Sequence, residues 1–130
     1  MNSIESLKYI LRTIKDSNTF SVDNVICKQK EAIEYVASQL SINCIQTILI
    51  ACILESSFTR TGTSVKQICN LLKCSNIDFL QYSNELDVLI KRRMIQQNTT
   101  LTPFSESNGF VVCPKVIEAI KRDEPYVEEV

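Results

Sequence analysis

The spacing of apolar residues predicts helices over most of the chain. In residues 2–16, apolar side chains recur every three or four positions and would line one side of an amphipathic helix. The same spacing predicts a second helix over residues 25–40. Residues 42–56 carry apolar groups on most sides, which is typical of a helix at the centre of a core. Ser41 is the expected N-cap residue of this third helix.

The next segment has the pattern of a helix-turn-helix. Ser64 and Gln67 have the spacing of a capping box, which would begin a short helix ending near Leu72. Four polar or small residues interrupt the apolar pattern there, and it then resumes as a longer helix over residues 77–93. A short helix, a turn and a longer helix form the helix-turn-helix motif.

After Arg93 the pattern changes from helix to strand. Two short β-favouring runs, residues 94–97 and 109–113, flank a polar, turn-rich loop and predict a hairpin. Pro114 stands where the first position of a last helix would lie, because a proline there loses no helical hydrogen bond. That helix should end near Arg122. Polar connecting segments are expected at residues 17–24, 56–63, 98–109 and 123–130, the last being an acidic tail or the start of a linker.

The composition excludes most catalytic designs. The chain has 130 residues, enough for about one domain, and it contains no histidine. Ser–His and Cys–His nucleophile pairs and imidazole metal ligands are therefore excluded. No nucleophile, base and orienting group come together in the sequence. We expect a chain that is not an enzyme, with no catalytic residues and no cofactor or metal.

The charge and the cysteines point to an ordinary cytoplasmic protein. The formal net charge is −1, which gives no general attraction to nucleic acid. The N-terminus has no apolar signal-peptide segment, and the longest apolar stretch is too short to cross a membrane. We expect reduced thiols that pack as small apolar groups, although Cys69 and Cys74 could instead form a redox pair. The six cysteines are Cys27, Cys44, Cys52, Cys69, Cys74 and Cys113.

The order helix, short helix, turn, long helix and two-strand wing resembles the winged-helix fold. The sharpest local match is LDVLIKRRMI. Leu86 and Leu89 match the two leucines that end the third helix of the family, and Met94 and Ile95 match the apolar pair that opens the wing. Arg93 stands where the family usually has a glycine in the left-handed conformation.

The resemblance divides the chain into three parts. Residues 1–40 would be a helical N-terminal extension, residues 41–122 the winged-helix domain, and residues 123–130 the acidic tail. A wing strand that leads directly into PKVIEAIKRDEPY resembles the N-terminal region of bacterial AAA-type ATPases. This implies a non-catalytic module of a larger enzyme, because the chain contains no GxxxxGK[ST] phosphate-binding loop. Its partner would be the downstream ATPase module or another protein.

The resemblance also implies DNA binding as an alternative function, since winged helices most often bind duplex DNA. The second helix of the motif would enter the major groove. No lysine or arginine lies between Lys73 and Lys91, whereas Asp78, Glu85 and Asp87 do. Phosphate contacts need cations, so this charge pattern argues against duplex binding. A DNA-binding transcriptional regulator of the winged helix-turn-helix class is the alternative function.

The only basic cluster in the sequence lies at the end of this predicted helix. Lys91, Arg92 and Arg93 are the candidate nucleic-acid contacts for the alternative function. The other interpretation is that cations at a helix C-terminus stabilise the helix dipole, and it is extended to Lys115, Lys121 and Arg122 near the last helix.

The candidate partner surface is an apolar stripe on the helix-turn-helix. A helical projection places it on the side opposite the predicted core face, which holds Leu86 and Leu89. Either the first two helices cover this stripe, or a protein partner or a second copy of the chain does. We expect an adaptor or regulatory module that acts by protein–protein contact and does not bind membranes. The surface comprises Ile77, Leu80, Gln81, Asn84 and Val88.

Overall fold

The protein is mainly helical with one small antiparallel sheet. The computed structural model describes residues 2–17, 22–56, 63–98 and 109–127. The predicted class, mainly α with a β-hairpin, is confirmed. The helices are α1 (Ser3–Asp16), α2 (Val22–Lys28), α3 (Lys30–Leu40), α4 (Cys44–Ser56), α5 (Val65–Leu72), α6 (Asn76–Phe79), α7 (Ser83–Lys91) and α8 (Pro114–Arg122), with a 3₁₀ turn at Leu80–Tyr82. The strands are β1 (Ile95–Asn98) and β2 (Gly109–Val112).

Helix α4 is the centre of the core, as its sequence predicts. Every residue from Gln46 to Ile53 is buried. The helix contacts α1, α3, α5, α7 and β2, so that neighbouring elements cover it on several sides. One cluster of buried apolar side chains extends from Leu7 in α1 to Ile120 in α8. The N-terminal helices therefore share a core with the rest of the described chain.

The start of α4 differs from the prediction. Ser41 is not the N-cap; it ends α3 in the left-handed conformation, with φ of 57°. Asn43 caps α4 instead, because its Oδ1 accepts the Gln46 N–H at 2.8 Å. The Gln46 Oε1 in turn accepts the Asn43 N–H at 3.1 Å, so both residues satisfy backbone groups that the helix leaves open.

The predicted second helix is two helices. It begins at Val22 rather than near residue 25, because Val22 is buried in the core and is not part of a polar connector. Gln29 then interrupts it with a non-helical backbone. The Gln29 side chain donates to Thr13 Oγ1 at 2.9 Å, which ties the break to α1. The rest of the predicted connector, residues 18–21, lies outside the described residues.

Of the two helices predicted for the helix-turn-helix segment, the first is present and the second is interrupted. Ser64 and Gln67 form the predicted capping box of α5. The predicted continuous helix over residues 77–93 is wrong, since a 3₁₀ turn separates α6 from α7. Side chains bond to main-chain carbonyls around this turn: Gln81 Nε2 donates to the Asp78 carbonyl and Ser83 Oγ to the Leu80 carbonyl, both at 2.9 Å. Such local bonds compete with regular helical pairing.

The hairpin forms close to where the sequence places it. Strands β1 and β2 pair antiparallel, with Ile95 opposite Val112 and Asn98 opposite Gly109. Arg93 adopts φ of 60°, the left-handed conformation that the resemblance associates with a glycine at this position. The loop between the strands, residues 99–108, lies outside the described residues.

Thr63 corrects the prediction of a polar linker over residues 56–63. It is buried and forms a β-bridge with Phe110 of the hairpin. Its Oγ1 donates to the Ile53 carbonyl at 2.9 Å, which satisfies the buried hydroxyl. The end of this segment is thus part of the core that joins α4 to the sheet. Residues 57–62 lie outside the described residues.

The segment after α8 is anchored, which corrects the prediction of a tail beginning at residue 123. Asp123 accepts the Ser3 N–H at 3.0 Å, the Ser3 hydroxyl at 2.8 Å and the Tyr35 hydroxyl at 2.8 Å. These hydrogen bonds, from Tyr35 above all, hold the pKa of Asp123 below its ordinary value. The Tyr126 N–H also donates to the Gln39 carbonyl at 2.7 Å. Residues 128–130 lie outside the described residues.

No single helix in the described ranges is both long and apolar enough to cross a membrane. Helices α3 and α4 reach the required length and composition only when taken together, and the chain bends by 88° between them. The apolar member of this pair, α4, is packed into the core described above.

Candidate functional site

The predicted partner surface is exposed. Ile77 is 80% exposed, Leu80 67% and Val88 40%, and the side chains of Gln81 and Asn84 are also exposed. The alternative in which the first two predicted helices cover this stripe is therefore wrong for Ile77 and Leu80. Large apolar side chains that remain exposed are candidates for contact with another molecule.

The exposure follows from how the segment packs. Phe79, Leu86 and Leu89 are buried, and α7 contacts α4 and β1 through this side. The 3₁₀ turn changes the number of residues per turn between Ile77 and Val88, so a single helical projection does not hold across it. The helical projection assumed one continuous helix, which the structure does not have. The apolar residues that it placed on the surface are nevertheless exposed.

Carboxylates accompany the exposed apolar residues. Asp78 accepts the Ser75 N–H at 3.2 Å and its hydroxyl at 3.0 Å, which caps α6. Glu85 accepts the Asn43 amide at 2.9 Å, so it links α7 to the start of α4. Asp87 is exposed. The face formed by α6, the turn and the first part of α7 is therefore apolar with acidic groups.

The basic cluster lies at the opposite end of α7 and lines a cleft. Lys91, Arg92 and Arg93 meet Lys115 from the start of α8 around a cavity of about 450 Å³. The Arg92 guanidinium donates to the Ser41 carbonyl at 2.6 Å, which holds it against the end of α3. The sequence did not predict that Lys115 lies beside the other three cations.

The hairpin explains how Lys115 reaches the cluster. Strands β1 and β2 return the chain to the end of α7, and the Cys113 N–H donates to the Met94 carbonyl at 2.9 Å. This bond places the first turn of α8 beside the last turn of α7. Sequence spacing alone could not show it, because it depends on the register in which the two strands pair.

Three of the thiols lie together, because Cys69 hydrogen-bonds with Cys74 and Cys74 lies near Cys52. All six cysteines are free thiols, and Cys52 and Cys69 are buried. Burial raises the pKa of Cys52 to about 12 and the pKa of Cys74 to about 12. Because the thiolate is the reactive form, these thiols are poor nucleophiles at neutral pH. Packing is the role that the geometry supports for them.

Neither a group of metal ligands in the described residues nor a match to a known protein indicates what the site does. In the four described ranges, no group of three or more cysteine, aspartate or glutamate side chains is arranged to hold a metal ion. No family model, curated protein or solved structure matches the chain. The two surfaces at the ends of the α6–α7 segment are therefore the candidate functional sites.

Proposed function

We propose that this chain is a non-catalytic winged-helix module that acts by protein–protein contact. The order of α4, α5, a turn, the α6–α7 segment and the β1–β2 hairpin agrees with the order that the resemblance implies. The left-handed Arg93 and the buried Leu86 and Leu89 agree with the family pattern at the end of the third helix. On this proposal residues 41–122 are the winged-helix domain and residues 1–40 its helical extension.

The exposure of Ile77 and Leu80 is the observation that carries the proposal. Their large aliphatic side chains extend into solvent from a segment whose other side is packed in the core. Covering such groups removes apolar surface from water and favours association by about 25 cal/mol for each Å² buried. With Asp87 exposed nearby, the partner surface that fits is apolar with basic groups at its edge.

The AAA-type part of the proposal has a direct test. The resemblance implies an ATPase module downstream of this domain in the same polypeptide. The coding sequence after Val130 should then encode a GxxxxGK[ST] phosphate-binding loop. A stop codon at that point would contradict the ATPase assignment while leaving the contact surface to be tested separately.

The contact surface is tested with Leu80→Asp. The substitution adds a charge at an exposed position, so the variant should melt like the parent while its association is lost. Sedimentation velocity over a range of concentrations measures association of the chain with itself. The same measurement with the downstream module present measures association with that partner.

Ile4→Asp is the matched control for this test. Ile4 is 43% exposed on α1, so the same change is made to an exposed aliphatic residue outside the candidate surface. This control should associate like the parent. The proposal is contradicted if Leu80→Asp associates as strongly as Ile4→Asp, or if neither a second copy nor the downstream module binds the parent.

The alternative is a DNA-binding transcriptional regulator, which the basic cleft favours. Lys91, Arg92 and Arg93 could contact phosphates there. The rest of the candidate recognition helix has acidic groups and no cation back to Lys73. We therefore expect no salt-sensitive binding to random duplex DNA at micromolar protein, measured by fluorescence anisotropy. Binding that weakens steeply with added salt would support the alternative.

A further inference from the structure

In the described part of the chain, four helices are followed by a residue in the left-handed conformation. At each of these ends the next N–H donates at 3.0 Å to the carbonyl five residues earlier, which is the Schellman motif. This motif commonly brings the side chains of the two bonded residues into contact. At the end of α5 both of these residues are cysteines. The four pairs are Ile42 with Ala37, Cys74 with Cys69, Met94 with Leu89, and Glu124 with Ala119.

The two thiols at the end of α5 are in contact. The side chain of Cys74 hydrogen-bonds to that of Cys69. Cys69 Sγ also lies 4.0 Å from the Ser75 carbonyl oxygen and 3.8 Å from Asn76 Oδ1, so it faces the turn that leads into α6. A disulfide has a narrow range of geometries, and side chains that already meet on a fixed backbone reach it with little movement. We propose that Cys69 and Cys74 form a reversible disulfide that locks the turn between α5 and α6.

The exposure of the two sulfurs sets the order of the reaction. Cys74 is partly exposed, whereas Cys69 is buried, and the oxidant is a small-molecule disulfide such as glutathione disulfide. The Cys74 thiolate attacks one sulfur of this oxidant, which forms a mixed disulfide and releases one thiolate. The Cys69 thiolate then attacks Cys74 Sγ and releases the second thiolate. The two protons of the protein thiols and two electrons convert the oxidant into two small thiols.

The surroundings of Cys74 make this reaction slow at neutral pH. Burial, together with the neighbouring Cys69, raises the pKa of Cys74 to about 12, so little thiolate is present. Asp78 of α6, Cys52 of α4 and Tyr82 of the 3₁₀ turn also interact with Cys74, and their charged forms are all negative. A thiol with a high pKa is a poor leaving group, so the disulfide resists reduction once it has formed. The site therefore responds to lasting oxidation, and the two thiols pack as apolar groups in the reduced protein.

The position of Lys73 allows the disulfide to be detected directly. Lys73 lies between the two cysteines, so trypsin separates them into the peptides of residues 67–73 and 74–91. The folded protein is incubated with glutathione disulfide, its remaining thiols are blocked, and it is denatured and digested. Mass spectrometry should then find these two peptides joined, with the loss of two hydrogen atoms. The rate should rise about tenfold for each unit of pH up to about pH 9, because the thiolate fraction rises by that factor below the pKa.

Two variants separate this pair from Cys52, the third thiol of the cluster. Cys74→Ser should abolish the link and leave Cys69 as a thiol, whereas Cys52→Ala is the control and should keep the link. The oxidised parent should melt at a higher temperature than the reduced parent, because a cross-link constrains the unfolded chain. The melting temperature of Cys74→Ser should not respond to the oxidant. Each protein also carries Cys27→Ser, since the exposed Cys27 would otherwise join two copies.

Three results would overturn the proposal. One is the recovery of the two peptides as separate species with both thiols blocked after prolonged oxidation at about pH 9. Another is Cys74 that stays joined to glutathione, which would show that Cys69 does not reach it. The third is a link from Cys74 to Cys52 in the parent. None of these results bears on the contact surface of Ile77 and Leu80, because the link is measured within one chain.

Discussion

Helix α4 and the segment from α6 to α7 are both rich in large aliphatic side chains, but only α4 is buried throughout its middle. Residues 46–53 of α4 are all buried, whereas Ile77 and Leu80 are among the most exposed apolar residues described. The difference lies in the neighbours: α4 contacts helices and a strand on several sides, while α7 packs on one side against α4 and β1. An apolar side chain therefore contributes to stability or to binding according to what packs against it.

Leu49→Ala should have the largest effect on stability. Leu49 is 1% exposed in the middle of α4, so the substitution removes buried apolar contacts and leaves a cavity. We expect the free energy of unfolding to fall by about 2–5 kcal/mol. Urea denaturation followed by circular dichroism measures it. A loss below that range would show that the core around α4 relaxes more than its packing suggests.

Asn43→Ala should cost less, about 1 kcal/mol, because it removes the N-cap of α4. It also removes the amide that donates to Glu85 and so links the two regions. Ser41→Gly is the control: at φ of 57° glycine is favoured, so this change should not destabilise the protein. Equal losses in the two variants by urea denaturation would contradict Asn43 as the cap.

Acid should weaken the contacts of Asp123, which hold the end of α8 to the core. The folded pKa of Asp123 lies below its ordinary value of 3.8, so its stabilising contribution is present above that pH and is lost as the pH falls through the folded pKa. Asp123→Asn should lower the melting temperature at neutral pH, and its difference from the parent should shrink below pH 3.8. Glu124→Gln, which changes the next and exposed carboxylate, is the control. A difference that stays constant with pH would rule out this role for the Asp123 charge.

Leu80→Ala should have the smallest effect on stability. It repeats the chemical change of Leu49→Ala at a position that is 67% exposed, so the free energy of unfolding should change by less than about 0.5 kcal/mol. The pair of variants, measured under identical conditions, compares the two regions directly. If Leu80→Ala cost as much as Leu49→Ala, the face would be covered in solution, and sedimentation would show whether a second copy covers it.

The sequence predicted the elements whose signals are local. Apolar spacing located α1, α5 and α8, and the capping box at Ser64 and Gln67 formed as expected. The sequence also identified Ile77 and Leu80 as surface positions. Residues that face the core recur at regular intervals along a helix, so the residues on its other side can be recognised from the sequence. Predictions failed where a side-chain hydrogen bond accompanies a break in the helix, as from Gln29 to the Thr13 hydroxyl and from Gln81 to the Asp78 carbonyl before α7, since such bonds carry no periodic signal.

Only the tertiary structure could join residues that are distant in the chain. Asp123 bonds to Ser3 and Tyr35, and no sequence pattern relates these three positions. Lys115 meets the cations at the end of α7 because the hairpin register returns the chain to that point. Apolar spacing determines which side of an element faces the core, but the packing of elements against one another determines which polar groups meet on the surface. That is why the sequence by itself identified an apolar face and the fold was needed to reveal the basic cleft.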